Sequence, residues 1–339
     1  MRRSRLRLTV GLLTLALLGF AAAGPALALQ INAVYDSSVS SRSDYQQIKS
    51  AFGQAADAWS NVLTDNVTVN IRVSFGGVGG YVLGPTTLGG SLDALYGYFS
   101  YSQMKSWLSS DASSSDDKTA VKSLPAGSTV AGNTFVLASA QAKALGLISG
   151  KNSAYDGYIG FGSATKYDYD RSNGISAGYF DFVGLAEHEM AHVLGLFSGQ
   201  GDGYATAFDL FRCSGGASSF TGGPSSFSID GCKTNLATFN STGSGDRDDW
   251  ASGPTSTDIR GAYLYPGVQY AISAADMTAL DVIGWGTKSA TGGGLTISLP
   301  SFSNIGRAVD AAAVPEASTL ALLSVGLLGL WLARRLRSA

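Results

Sequence analysis

The stretch FVGLAEHEMAHVLG, residues 182–195, contains both histidines of the chain, His188 and His192. Apart from Gly184 it has no glycine or proline before Gly195, so it predicts a helix that ends at Gly195. Residues four apart lie on the same face of a helix, which brings the two imidazoles together. Imidazole nitrogen is a ligand of tetrahedral Zn²⁺ sites, so the helix predicts a zinc site with His188 and His192 as ligands.

Glu189 follows His188 directly and lies to one side of the predicted metal-binding face. From there it reaches a water molecule on the metal rather than the metal itself, which suits a general base. The chain has only two histidines and three glutamates, so an HExxH pattern arises by chance very rarely. The alternative is a helix that keeps the pattern without its metal. Glu187 we interpret as a solvent-exposed helix residue.

The first 28 residues are typical of a secretory signal peptide. Four arginines precede an apolar run over residues 8–23, and Ala26-Leu27-Ala28 has the small-x-small pattern of a cleavage site. A retained membrane anchor is the alternative, and the short apolar run disfavours it. We therefore expect an exported protein whose mature chain begins near residue 29.

Residues 314–339 contain a second terminal signal. The sequence VPEAST at residues 314–319 precedes an apolar run at residues 320–333 and the basic stretch RRLR at residues 334–337. This tail resembles the PEP-CTERM sorting signal of Gram-negative bacteria, with Ala317 where a second proline is common. The resemblance implies transient membrane anchoring through a transmembrane segment, cleavage by a sorting and processing enzyme in the membrane, and release to the cell surface or extracellular matrix. A permanent single-pass anchor is the alternative.

The charge of the chain excludes one class of partner. The whole chain has a formal net charge of −2. Without the seven arginines and one glutamate of the two terminal signals, the mature part has a net charge of about −8. Proteins that bind nucleic acids neutralise phosphates with an excess of basic side chains, so we expect no nucleic-acid partner.

Cys213 and Cys232 are the only cysteines of the chain. Export places them in an oxidising compartment, where a disulfide across the Gly/Ser-rich loop between them is the expected state. Zinc ligation is the weaker alternative, because the two cysteines lack the CxxC spacing of zinc sites.

Hydrophobic patterning predicts a strand at residues 31–35, a helix from Tyr45 to Val62 and a half-buried strand at residues 67–75. The glycine-rich stretch at residues 76–90 lacks the ending of a phosphate-binding loop, and we interpret it as a flexible loop near a cleft. We expect residues 29–288 to form one domain. A Gly/Ser/Ala-rich linker follows at residues 289–313.

A catalytic zinc site requires a third protein ligand and an open position for water. The motif HEMAHVLG at residues 188–195 resembles the metzincin clan of zinc endopeptidases. In that clan the glycine turns the chain so that the third ligand follows three residues later. The corresponding residue here is Ser198, a poor zinc ligand, so the strict metzincin spacing is absent.

Leishmanolysin-like members of the clan place a long insertion after the glycine, and their third ligand precedes a tryptophan. Asp249 precedes Trp250 in the matching part of this chain. The resemblance therefore implies Asp249 as the third zinc ligand, and aspartate oxygen is a competent one. Asp202 and Asp209 are the alternatives.

The same resemblance implies an α+β fold, a zincin/metzincin-like catalytic domain. It has a mixed sheet, an N-terminal helix, the HExxH helix and a C-terminal helix, the last at residues 273–285. The edge strand beside the cleft is expected at residues 156–161. In the place of the clan's methionine turn, at residues 261–266, this chain has Tyr263 or Leu264 where the methionine belongs. Tyr263 and Tyr265 are candidates for stabilising an oxyanion.

These features predict a secreted zinc-dependent endopeptidase that acts on protein or peptide substrates. A zinc-bound water would attack the peptide bond with Glu189 as general base. The alternative is a catalytically weak or inactive protein on a zincin scaffold, with a surface or biofilm-matrix binding role. The missing third histidine and the missing methionine turn favour that alternative.

Overall fold

The computed structural model describes residues 29–288 except 131, 133 and 244, together with residues 312 and 313. They form a mixed structure of helices and several sheets. The predicted signal peptide and sorting signal lie outside the described residues, as does the predicted linker except residues 312 and 313. Within the part of the chain that is described, no helix combines the length and the apolar character needed to cross a membrane.

A four-stranded sheet lies at the centre of the fold. Its parallel strands are β1 (Gln30–Tyr35), β2 (Thr68–Phe75) and β8 (Gly157–Phe161), and β5 (Gly89–Asp93) pairs antiparallel with β8. The spatial order is β1-β2-β8-β5. The strands predicted at residues 31–35 and 67–75 are therefore present, with bounds within one residue of the prediction.

The prediction that residues 156–161 form the edge strand is wrong, because β8 lies between β2 and β5. The edge strand is β5, whose first two residues, Gly89 and Gly90, belong to the stretch at residues 76–90 that we predicted to be a flexible loop. Four of the five β8 residues are buried, as expected of an interior strand. Gly89 and Gly90 carry no side chain, so β5 lacks the apolar alternation that marks a strand in a sequence.

Two helices pack against each other and against the central sheet. They are α2 (Tyr45–Val62) and α6 (Phe182–Val193), and both form where the sequence predicts a helix. The indole Nε1 of Trp59 in α2 donates a hydrogen bond of 3.0 Å to the Glu187 carbonyl in α6. The rings of Phe161 and Phe182 lie 4.4 Å apart between their centroids, which fixes the first turn of α6 against β8.

Local signals determine where α6 begins and ends. Asp181 caps its first turn by accepting a hydrogen bond of 3.0 Å from the Gly184 N–H. After Val193 the chain turns away at Gly195, whose φ of 116° is strained for any residue with a side chain. All twelve residues of α6 are buried, so this helix lies in the core on every side.

Glu187 is therefore buried, and the prediction that it is exposed to solvent is wrong. Its carboxylate lies 3.2 Å from Arg171 Nη1, and Arg171 also pairs with Asp181 at 2.7 Å. Burial raises the pKa of Glu187 to about 7. Arg171 comes from a loop outside the helix, so the helical pattern of the sequence did not reveal this partner.

A C-terminal helix, α7 (Ala274–Val282), forms in the predicted place. Trp285 follows it and donates a hydrogen bond of 2.7 Å to the Leu194 carbonyl at the end of α6. The other helices are α1 (Ser37–Ser40), α3 (Tyr101–Asp111), α4 (Ser115–Ser123) and α5 (Ser139–Ala144). The other strands are β3 (Gly77–Val78), β4 (Tyr81–Val82), β6 (Leu95–Phe99), β7 (Phe135–Ala138), β9 (Tyr167–Asp168), β10 (Phe180–Asp181), β11 (Ala205–Thr206), β12 (Arg212–Ser214), β13 (Ala217–Ser218), β14 (Ser226–Phe227), β15 (Ala237–Thr238), β16 (Tyr263–Leu264) and β17 (Ala312–Ala313).

A disulfide closes the segment that follows α6. Cys213 in β12 is bonded to Cys232, with 5.5 Å between their Cα atoms and a sequence separation of 19 residues. The bond spans β13 and β14, which belong to the small sheet β13-β12-β14-β15. It therefore constrains the long insertion between the HExxH helix and Asp249.

The double substitution Cys213→Ser/Cys232→Ser is expected to lower the free energy of unfolding by about 3 kcal/mol, because the unfolded chain gains the entropy of an open loop of this length. For a domain of this size the melting temperature falls by about 6 to 12 °C. Thermal unfolding followed by circular dichroism measures this change. A reducing agent is expected to lower the wild-type melting temperature equally and to leave the variant unchanged. Equal melting temperatures for variant and wild type contradict the prediction.

Candidate metal centre

The two imidazoles of α6 face each other in the core. The Nε2 atoms of His188 and His192 are 3.2 Å apart, and both side chains are buried. His188 Nδ1 donates to the Ile259 carbonyl at 2.6 Å, and His192 Nδ1 donates to the Leu196 carbonyl at 3.0 Å. A carbonyl only accepts hydrogen bonds, so each neutral ring carries its proton on Nδ1. The lone pair of each Nε2 is left for a metal ion.

The surroundings keep both imidazoles neutral. Burial is the largest effect that lowers the pKa of His188, followed by the neighbouring His192 and by Arg260. Burial also lowers the pKa of His192, and the positive charge of Arg260 adds to this effect. Neutral imidazole is the form that binds metal ions. The pair is thus in the protonation state that a metal site requires.

Asp249 is the aspartate that the fold brings to the histidine pair. Its Oδ2 lies 3.5 Å from His188 Nε2, and its Oδ1 lies 3.5 Å from His192 Nε2. The side chain is fully buried, and neither oxygen accepts a hydrogen bond from the residues that the structure describes. A buried carboxylate whose charge is incompletely compensated costs several kcal/mol. The position of Asp249 beside the lone pairs of the two imidazole Nε2 atoms therefore needs a chemical reason.

A zinc ion is such a reason, and the distances fit it. Ligand atoms about 2.0 to 2.2 Å from a tetrahedral zinc are separated from each other by about 3.3 to 3.6 Å. The imidazole nitrogens are 3.2 Å apart and each is 3.5 Å from a carboxylate oxygen. Two neutral imidazoles and one carboxylate are also a common ligand set of catalytic zinc. The residues present therefore fit the ion that the sequence predicts.

The structure places the two alternative ligands elsewhere. Asp202 is exposed in the loop after α6. Asp209 is buried, but its carboxylate accepts hydrogen bonds from the Gly199 and Thr206 N–H groups at 2.9 and 3.0 Å. Ser198, at the strict metzincin spacing, donates its hydroxyl to Asp209. Asp209 therefore stabilises the turn after α6 and is not aimed at the histidine pair.

Trp250 positions Asp249. Its backbone N–H donates to the Arg260 carbonyl at 2.7 Å, and its Nε1 donates to Asp276 in α7 at 2.8 Å. The indole also packs between the rings of Phe208, Phe227 and Phe239. The residue before this anchored tryptophan therefore has a fixed place beside α6.

Glu189 lies beside the ligands and points toward the edge strand. One ligand atom each from His188, Glu189 and His192 lies within 4.8 Å of the others. Burial raises the pKa of Glu189 to about 8, and a hydrogen bond from Ser91 in β5 opposes the shift. A methyl group at Gly89 would lie 2.6 Å from Glu189 Oε1. The absence of a side chain at Gly89 thus makes room for this carboxylate at β5.

Four residues that lie near the site were not predicted from the sequence to belong to it. Arg260 is fully buried, with Nη2 3.2 Å from Asp249 Oδ1. Asp248 Oδ2 is 3.5 Å from His192 Nδ1, and Asp246 forms a second potential metal-binding group with His192 and Asp249. Asp93, at the end of β5, has a pKa raised well above its usual value by burial and by Asp248. The aspartates were visible in the GDRDDW stretch, but no local pattern marked Arg260 or Asp93.

The structure gives Tyr263 and Leu264 roles in packing. Leu264 is fully buried in the core. The Tyr263 hydroxyl donates to the Thr242 carbonyl and accepts from the Gly245 N–H, both at 3.1 Å. These contacts hold the loop before Asp249, so Tyr263 is not free to stabilise an oxyanion.

Comparisons with known proteins identify the C-terminal end of the chain. Residues 313–338 match the family described as the PEP-CTERM protein-sorting motif, which agrees with the predicted signal at residues 314–339. No curated protein and no solved structure matches the chain. The chain is thus a PEP-CTERM-tagged bacterial protein, exported by a Gram-negative cell and recognised at its C-terminus by a sorting and processing enzyme.

Proposed function

We propose that this protein is an exported zinc-dependent endopeptidase. The observation that carries the proposal is the convergence of three buried groups with free lone pairs: two imidazole Nε2 atoms one helical turn apart and the Asp249 carboxylate from a segment 57 positions beyond His192. Asp249 accepts no hydrogen bond from the described residues. A metal ion accounts for all three, and Glu189 adds a carboxylate that is not needed as a ligand.

His188, His192 and Asp249 would hold the zinc. When bound, zinc lowers the pKa of water and polarises a carbonyl group. Glu189 takes a proton from the attacking water on its carboxylate and delivers it to the leaving amine. Burial raises the pKa of Glu189 to about 8, and a positive charge close to the carboxylate lowers that pKa and favours the ionised form that a general base needs. The Ile259 and Leu196 carbonyls keep the ring protons away from the reacting side.

The edge strand supports a peptide as substrate. Within the described residues, no strand pairs with the outer edge of β5. An extended peptide can add to such an edge through backbone hydrogen bonds. Ser91 of β5 contacts Glu189, and Gly89 leaves room for that side chain. A peptide bond placed along β5 therefore lies beside the proposed general base.

A zincin/metzincin-like domain is part of the same proposal. The mixed central sheet with an antiparallel edge, the helix α2 between its strands β1 and β2, the HExxH helix and the closing helix α7 support this fold. The placement of a third ligand directly before a tryptophan supports the leishmanolysin-like variant of it. The destination after sorting, at the cell surface or in the extracellular matrix, is also proposed, on the basis of the C-terminal motif.

Two observations favour the second candidate, a catalytically weak or inactive zincin-scaffold protein with a surface or biofilm-matrix binding role. The exposed fractions of His188, Glu189 and Asp249 are 0%, 1% and 0%. A peptide reaches these groups only after a covering segment moves. Asp246 also lies close enough to His192 and Asp249 to serve as a further ligand, and a site with four protein ligands is a structural rather than a catalytic one.

One experiment distinguishes the two candidate functions. Mature protein, residues 29–288 or the full exported chain, is analysed for zinc by elemental analysis and for cleavage of denatured casein. The endopeptidase proposal expects about one zinc per chain together with cleavage that a chelator abolishes. Zinc without cleavage supports the scaffold protein, and absence of zinc contradicts the endopeptidase proposal.

Glu189→Gln is expected to retain zinc and to lose at least about 100-fold of the rate of peptide hydrolysis, because an amide cannot accept the proton of the attacking water. Zinc content by elemental analysis and cleavage of a fluorogenic peptide measure the two effects. Casein digestion by this variant at the wild-type rate contradicts the proposed general base.

Asp249→Asn is expected to lower zinc affinity by at least about tenfold, because the third ligand loses its negative charge. Competition with a chromophoric chelator measures the affinity. Asp202→Asn is the matched control, since it makes the same change at the exposed alternative ligand and is expected to leave zinc affinity unchanged. An effect at Asp202 and none at Asp249 overturns the ligand assignment.

A further inference from the structure

A fully buried arginine lies in contact with the candidate metal ligands. Arg260 Nη2 is 3.2 Å from Asp249 Oδ1 and donates to the Asp248 carbonyl at 2.8 Å. Its Nη1 is 3.1 Å from both ring nitrogens of His192. A permanent positive charge next to a cation site weakens cation binding, so its presence there requires an explanation.

The contact with His192 does not occupy the lone pair that a metal needs. The Arg260 Nη1 atom is equally far, 3.1 Å, from Nδ1 and Nε2. The N–H bond of Nδ1 and the lone pair of Nε2 point away from each other in the ring plane, so an atom equidistant from both nitrogens lies on neither axis. The guanidinium therefore packs against the ring, and Nε2 remains able to bind zinc while Arg260 stays in place.

Arg260 instead compensates a group of buried carboxylates. It interacts with Asp249 and Asp248, and more weakly with Asp276 and Asp246. Asp249 and Asp248 are buried in the segment that closes over α6. Ionised carboxylates at this depth repel one another and are costly without a counter-charge. In the metal-free chain the guanidinium provides that charge.

We propose that Arg260 is a built-in counter-cation that keeps the metal-binding residues assembled without metal, at the cost of weaker metal binding. The inference rests on the proposed function in one respect, that the histidine pair and Asp249 bind zinc. It adds that the protein folds before it acquires its metal. For an exported chain this means that folding does not depend on the metal supply outside the cell.

Thermodynamic linkage gives the proposal a measurable form. If zinc and Arg260 compensate the same carboxylates, then each weakens the contribution of the other. Loss of the guanidinium charge must destabilise the metal-free protein more than the zinc-loaded protein. The same cycle requires that the variant binds zinc more tightly than the wild type. A purely structural role of Arg260, in packing or in holding the loop, predicts equal destabilisation in both states or weaker zinc binding.

The test uses Arg260→Gln in the mature protein, because this change removes the positive charge and keeps a polar, uncharged side chain. Thermal unfolding is measured with a chelator and with excess zinc, and zinc affinity is measured by chelator competition. We expect a fall of at least about 5 °C in melting temperature with chelator and a clearly smaller fall with zinc. Zinc affinity is expected to rise on the order of tenfold.

Two further variants provide the controls. Lys143→Met removes another buried cation, which pairs with Asp156 at 2.5 Å and does not contact the metal ligands. Its fall in melting temperature is expected to be the same with chelator and with zinc. Arg260→Lys keeps the charge and is expected to keep wild-type zinc affinity and most of the metal-free stability.

The outcomes separate this inference from the proposed function. A wild type that takes up no zinc removes the proposed metal site. A wild type that binds zinc, combined with an Arg260→Gln variant that is equally destabilised in both states or binds zinc more weakly, overturns the counter-cation alone. An Arg260→Gln variant that folds only with zinc supports it. If this variant folds in neither state, Arg260→Lys decides, since failure of the charge-retaining variant to fold shows that shape rather than charge is required.

Discussion

The constraint on which this structure depends is that α6, which is buried on every side, carries four ionisable groups into the core. A helix buried on every side normally carries apolar residues only, yet this one contains Glu187, His188, Glu189 and His192. Each of these groups needs a partner in a medium where an unpaired polar group costs free energy. The surrounding loops therefore have a common physical task, which is to provide those partners.

The partners come from three separate parts of the chain. Arg171, from the loop before α6, pairs with Glu187 at 3.2 Å. The carbonyls of Leu196 and Ile259 accept the imidazole protons. The segment around Asp249 is anchored by Trp250 to Asp276 of α7. Because these contacts span most of the described domain, the site cannot form before the domain has folded around α6.

The sequence predicted the parts of this arrangement that follow from local spacing. The HExxH helix, the helix α2 and the strands β1 and β2 depend on periodicities that are visible within a few residues. The sequence identified Asp249 as a candidate ligand only through the resemblance to leishmanolysin-like proteins, in which the third ligand precedes a tryptophan. Arg260 and the burial of Glu187 were not predicted, because their partners are distant in the sequence. The edge strand was misplaced for another reason, since Gly89 and Gly90 give β5 no side-chain pattern.

The burial of the site has a direct consequence for how it can act. Glu189 and the histidines lie under β5 on one side and the segment of Asp249 on the other. The segment of Asp249 contacts α7 and the rings of Phe208, Phe227 and Phe239 through Trp250, and it contacts Arg260 through Asp249 itself. Movement of this segment would therefore separate Asp249 from the histidine pair. The edge strand β5 is held by its pairing with β8 alone among the described strands. Under the proposed function, a peptide would approach Glu189 along β5, and the displacement needed there distinguishes the proposed endopeptidase from the proposed metal-binding scaffold protein.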